Sequence, residues 1–158
     1  MIIDVSPAVV DFVAESDPSD PKTVWGIRPL TYRETQAALV DTGKRPVAAM
    51  DLYLKTYQSP DHEETDEEAL ERIRRQRAAA EQYTEEDKQL MREADVYLAK
   101  YHFFVCSYAI QTIDGKRVSR PEVLTILDNM RPRDQVGSVL AEIASKVGSI
   151  TRGDDKKK

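Results

Sequence analysis

The chain has 158 residues, enough for one domain with a real core, and 41% apolar with 32% charged residues make a soluble, charge-rich composition. A formal net charge of −5 and a pI near 5.2 argue against a global electrostatic pull toward nucleic acid. The single cysteine, Cys106, excludes an internal disulfide and a multi-cysteine metal site and suits a reducing cytoplasm. The start, "MIIDVSPAVVDF", lacks a basic n-region, so no signal peptide is expected, and no window approaches the roughly 20 apolar residues of a membrane span.

Residues 2–13 mix β-branched residues with Pro7 and read as extended. "ESDPSDPK" (15–22) is a loop, because its prolines and aspartates compete with regular structure. "TVWGIRPL" (23–30) returns as a strand, so 1–30 forms a β-hairpin-like start that stops at Pro29, which cannot donate to a ladder. Thr31 and Glu34 then make a T-x-x-E capping box, with Leu30 placed to staple onto the first turns. This helix should run to about Asp41, with Gly43 at a left-handed C-terminal position and Pro46 preventing continuation. A second short helix follows to Tyr57, whose apolar face reads as Val47, Met50, Leu54 and Tyr57. Together the two short helices span 31–58.

Residues 61–82 form a charged helical arm. Acids come first ("EETDEE") and arginines later ("RIRRQR"), the order a helix macrodipole favours. Glu68–Arg72 and Glu71–Arg75 are spaced as favourable i,i+4 pairs. Leu70 and Ile73 are nearly the only large apolar residues there, so the arm is either solvated or packed by a narrow stripe. At Thr84 and Asp87 a new helix could be capped, or the arm could run straight on.

The core helix spans 85–111, with Leu90, Ala94, Tyr97, Leu98, Tyr101, Phe104, Val105 and Tyr108 at three-four spacing. Asp114-Gly115 is a tight-turn pair fit to close a short hairpin. Ser119 and Glu122 form another capping box, with Pro121 in the first turn. The C-terminal helices occupy 119–148. The first turns Val123, Leu124, Leu127 and Met130 inward; "RPRD" breaks it; the last carries Val136, Leu140, Ile143 and Val147 and stops at Gly148. Residues 151–158 read as a disordered polar tail. The expected architecture is a single domain over 1–150, mainly α with a small N-terminal β element (α+β).

Chemistry-bearing patterns are few. His102 and Cys106 lie four apart on one helix face, the spacing of a nucleophile–base pair or two metal ligands, but Phe103, Phe104 and Val105 surround them and packing is the simpler reading. "DHEETDEE" lacks the glycine a calcium loop needs. "RIRRQR" is neutralised by the acids before it and has no interleaved aromatics. "RGD" (152–154) is too short to signal adhesion. No phosphate-binding loop, nucleophile elbow or H-E-x-x-H is present. No catalytic residue, cofactor or metal ligand is assigned, and the expectation is a protein that is not an enzyme.

The corner Arg28, Leu30, Thr31 and Glu34, and the run "YHFFVCSYAIQTIDGKRVSRPEVLTIL", resemble the tail assembly chaperones of long-tailed bacteriophages over residues 24–40 and 97–147. Members of that family are small and largely helical. They bind the long helical tape measure protein, keep it soluble, help recruit tail tube protein around it, and leave before the virion matures. The resemblance implies those partners and the host cytoplasm; no membrane is expected, nucleic acid is a disfavoured partner, and self-association is open. The apolar stripes suggest Tyr97, Tyr101, Phe104, Tyr108, Leu140 and Ile143 as the partner-binding face. In this family a frameshift late in the gene often makes a longer product, and Lys156–Lys158 could be encoded by a slippery A-rich run. The competing readings are a structural tail or neck protein of the virion and a small regulator touching DNA or a host factor through "RIRRQR".

Overall fold

In a computed structural model the chain is described over residues 8–153. Its elements, in order, are β1 (Val10–Phe12), β2 (Trp25–Ile27), α1 (Tyr32–Thr42), α2 (Val47–Thr56), α3 (Asp66–Glu81), α4 (Glu85–Ala109), β3 (Ile110–Ile113), β4 (Lys116–Arg117), α5 (Arg120–Asn129) and α6 (Arg133–Arg152). The protein is therefore mainly α with one small antiparallel sheet. The readings made for residues 2–7 and 154–158 lie outside the described residues.

The described residues fall into two compact units: unit 1 comprises 8–43 and 99–153, and unit 2 comprises 44–98. Helix α4 supplies its first turns to unit 2 and its last turns to unit 1.

Unit 1 is built on a sheet of order β1-β2-β3-β4. The front hairpin pairs Val10 with Ile27 and Phe12 with Trp25. The rear hairpin pairs Ile113 with Lys116 across Asp114-Gly115, both at positive φ (49° and 76°), as a two-residue primed turn requires. β2 and β3 join the two hairpins antiparallel, with Trp25 opposite Ile113 and an irregularity between Gly26 and Ile27. Gly26 sits at this join against the Thr112 side chain: a Cβ there would come within 1.9 Å of Thr112 Oγ1, so any larger residue would have to displace that side chain. On this sheet sits the larger core: Trp25, Ile27, Ile110, Val123, Ile143 and Val147 are all 2% exposed or less. Phe12, Leu30, Phe104 and Ile113 seal its margin.

The Thr31/Glu34 and Ser119/Glu122 capping boxes form as the sequence suggests, each side-chain oxygen accepting from the N3 amide and each carboxylate from the cap amide. Gly43 does end α1, but at φ 96°, ψ −167°, an extended glycine-only conformation and not the left-handed helical one. Helix α6 does not stop at Gly148. It continues to Arg152, and Gly153, at φ 77°, is the left-handed cap. Glycine costs a helix about 1 kcal/mol relative to alanine, too little to end one that already buries five residues. Thr151 and Arg152, expected in a disordered tail, therefore belong to the helix.

Unit 2 has a smaller core, Ala49, Met50 and Ala94, with Tyr53, Leu90, Tyr97 and Leu98 half-buried around it. The inward face of α2 is thus rotated from the one expected: Val47, Leu54 and Tyr57 are exposed at 64%, 52% and 46%. Large residues define a stripe in the sequence, but close packing here selects the small Ala49 opposite Ala94. Helix α3 starts on another capping box, Thr65 with Glu68, and buries no residue. Arg72 does not pair with Glu68; its Nε donates to Glu64 at 2.8 Å, leaving Glu68 to cap the helix and contact His62. Thr84 and Asp87 exchange hydrogen bonds of 3.0 and 3.1 Å, so α3 and α4 are separate helices.

Candidate partner-binding groove

Unit 1 carries an open groove of about 350 Å³. Its apolar side comes from Leu30, just before α1, and from Tyr101 and Val105 of α4. The opposite side is α6, which presents Ala141, Ala144, Ser145 and Gly148. These four follow i, i+3, i+4, i+7 spacing, so they form one continuous face of small residues along the helix. The Leu30 end is pinned where its amide donates to Thr151 Oγ1 at 3.1 Å.

The corner that leads into α1 is braced electrostatically. Arg28 donates from both terminal nitrogens to the two Glu34 oxygens at 2.8 and 2.5 Å, while Glu34 also accepts from the Thr31 amide at 2.9 Å. The Arg28 hydrogen bonds hold the Glu34 carboxyl down to about 2, against the opposing effect of its partial burial. Asp17 fixes the preceding loop in a similar way. Burial opposes its charge, but hydrogen bonds from Ser19 and Thr23 outweigh that and keep it near 2. Leu30 is therefore presented to the groove by a stiff segment.

The proposed partner-binding residues do not share this location. Tyr101 lines the groove. Tyr97 belongs to the core margin of unit 2 and Phe104 to that of unit 1. Tyr108 donates from its hydroxyl to Asp41 at 2.9 Å and lies under the Arg120 guanidinium, 4.0 Å from its ring centre. Leu140 and Ile143 are 6% and 0% exposed, so they are packed in the core and offer no surface to another chain. The apolar stripe of α6 is its buried face; of the small residues one position further round, Ser145 is exposed, Ala141 and Gly148 are half-buried and Ala144 is buried. Their spacing is visible in the sequence, but small side chains carry no hydrophobic signal, and the stripe of large residues drew attention first.

Cys106 is fully buried, donates to Leu140 O at 3.5 Å, and has its thiol pushed far up by burial, so it supplies no thiolate. His102 lines the groove, and burial lowers its basicity, keeping the neutral ring. Among the described residues no group of three or more His, Cys, Asp or Glu side chains is placed to hold a metal ion. The acidic run instead starts α3: Glu64 binds Arg72, Glu68 caps, and Asp61 contacts His62. A wide hollow on unit 2, about 800 Å³, is lined largely by charged and polar side chains, Glu64, Glu68 and Arg72 among them.

No family model, curated protein or solved structure matches this chain.

Proposed function

We propose that this chain is a non-catalytic tail assembly chaperone whose groove shelters an apolar ridge of the tape measure protein and which aids assembly of the tail tube around it. The observation that carries the reading is the groove itself, to which Leu30, Tyr101 and Val105 contribute large apolar side chains and α6 contributes the small residues Ala141, Ser145 and Gly148. Small side chains let a second helix approach within the 8–10 Å of ordinary helix packing, and its larger apolar side chains then fill the space against Leu30, Tyr101 and Val105. An extended amphipathic helix without a partner leaves such a ridge in water and aggregates, so covering it is a solubilising act. The Arg28–Thr31–Glu34 corner, which carries part of the resemblance to the family, is also what positions Leu30.

The test is co-expression of this chain with the long helical protein encoded beside its gene. The wild-type chain is expected to keep that protein in the supernatant. Ser145→Phe and Gly148→Phe, which fill the groove from exposed or half-exposed positions, are expected to send it to the pellet while the circular dichroism of the variant itself is unchanged. A partner equally soluble with no chain present, or equally protected by both variants, overturns the proposal.

A further inference from the structure

Helix α3 is a helix without a core: none of its residues is buried, yet Leu70 and Ile73 stand 56% and 38% exposed. They are not isolated. Asp66, Leu70, Ile73 and Arg77 step by four, three and four, the spacing of one coiled-coil seam. Glu68 and Arg72, the residues occupied by the cap and by Glu64, fall on the opposite side of the helix. Among the described residues, neither Asp66 nor Arg77 takes part in an ion pair within the chain.

We propose that this seam pairs antiparallel with α3 of a second copy of the chain. The argument is charge complementarity. The seam is acidic at its N-terminal end and basic at its C-terminal end, with Glu67 beside Asp66 and Arg74 beside Arg77. A parallel pair would set acid against acid and base against base. An antiparallel pair about a two-fold axis between residues 71 and 72 sets Leu70 against the other copy's Ile73, and Asp66 against the other copy's Arg77, each contact made twice. The two helix macrodipoles then oppose, which favours the same orientation. Sixteen residues give a contact only about 24 Å long, well below the area of a permanent dimer, so the association is weak, reversible and salt-sensitive.

Sedimentation velocity on the full chain, from about 5 to about 500 µM and in about 50 and 500 mM salt, tests this. A dimer is expected to appear with concentration and to weaken several-fold at the higher salt. Leu70→Glu, at an exposed position, is expected to raise the dimer dissociation constant at least about tenfold with helicity unchanged. Asp66→Arg and Arg77→Asp, each alone, place like charges together and are expected to be monomers; mixed, each restores the other's complement, and a heterodimer forms. A wild-type chain that stays monomeric throughout, a dimer indifferent to Leu70→Glu, or a mixture in which the two charge variants fail to associate overturns the proposal. The same holds if the seam proves to take a different protein's helix while the chain remains a monomer.

Discussion

Glu34 does three jobs through two oxygen atoms: it closes the capping box of α1, anchors Arg28, and so fixes the segment carrying Leu30 into the groove. Both side chains are mostly buried, at 19% and 23% exposure, so solvent screens the pair less than a surface ion pair. Its folded pKa lies below the ordinary 4.5, at about 2. A depressed carboxyl contributes stability that is fully present above its unfolded value and is lost as protons bind the folded state. The contribution therefore fades between about pH 4.5 and about pH 2, and is on the order of 3 kcal/mol at its fullest. Glu34→Gln should lower stability near neutral pH by about 2 kcal/mol and flatten the acid limb over that window, measured by urea unfolding at a series of pH values. An unchanged acid limb would show that the pair does not titrate as described. The capping role of Glu34 is legible from its spacing to Thr31. Its bond to Arg28 is not, because Arg28 lies before the helix, outside the cap spacing, and reaches Glu34 across Pro29 and Leu30.

At the scale of elements, the helices differ in what holds them. Helix α6 buries Val139, Leu140, Ile143, Ala144 and Val147, and this packing carries it through Gly148. Helix α3 buries nothing, so its local terms must do the work: a capping box, three acids in the first turn, and the Glu64–Arg72 bond. Thr65→Ala removes the cap oxygen that accepts from Glu68 N, at a cost of about 1 kcal/mol. Because no core offsets that loss, helicity over 66–81 should fall visibly in carbon chemical shifts, whereas Ser119→Ala should leave α5, whose Val123 and Leu127 are buried, helical. Equal fraying in the two variants would contradict this account. Capping boxes and the Asp114-Gly115 turn could be read from spacing alone because their partners are three residues apart or adjacent. The inward face of α2 could not, since alanine serves equally well in a core and on a surface.

Over the whole chain, stability is unevenly distributed. Unit 1 centres on fifteen buried apolar residues over a sheet, and unit 2 on Ala49, Met50 and Ala94. Local opening follows buried contact, so amides of residues 44–98 are expected to exchange with solvent well before those of β2, β3 and the buried turns of α6, in a native-state hydrogen-exchange series. Uniform protection across the two units would show that they open together. The sequence by itself determined the helical class, the Asp114-Gly115 turn and the Thr31/Glu34 and Ser119/Glu122 capping boxes, because each rests on residues within about one turn of one another. Only the tertiary structure decided that the two hairpins share one sheet across 88 positions, Trp25 to Ile113, with Gly26 at the join. It alone decided that Leu140 and Ile143 are spent in the core, leaving Ala141, Ser145 and Gly148 at the groove. Periodicity marks which side of a helix is apolar; what covers that side is set by chain segments far away in sequence, and no local pattern records it.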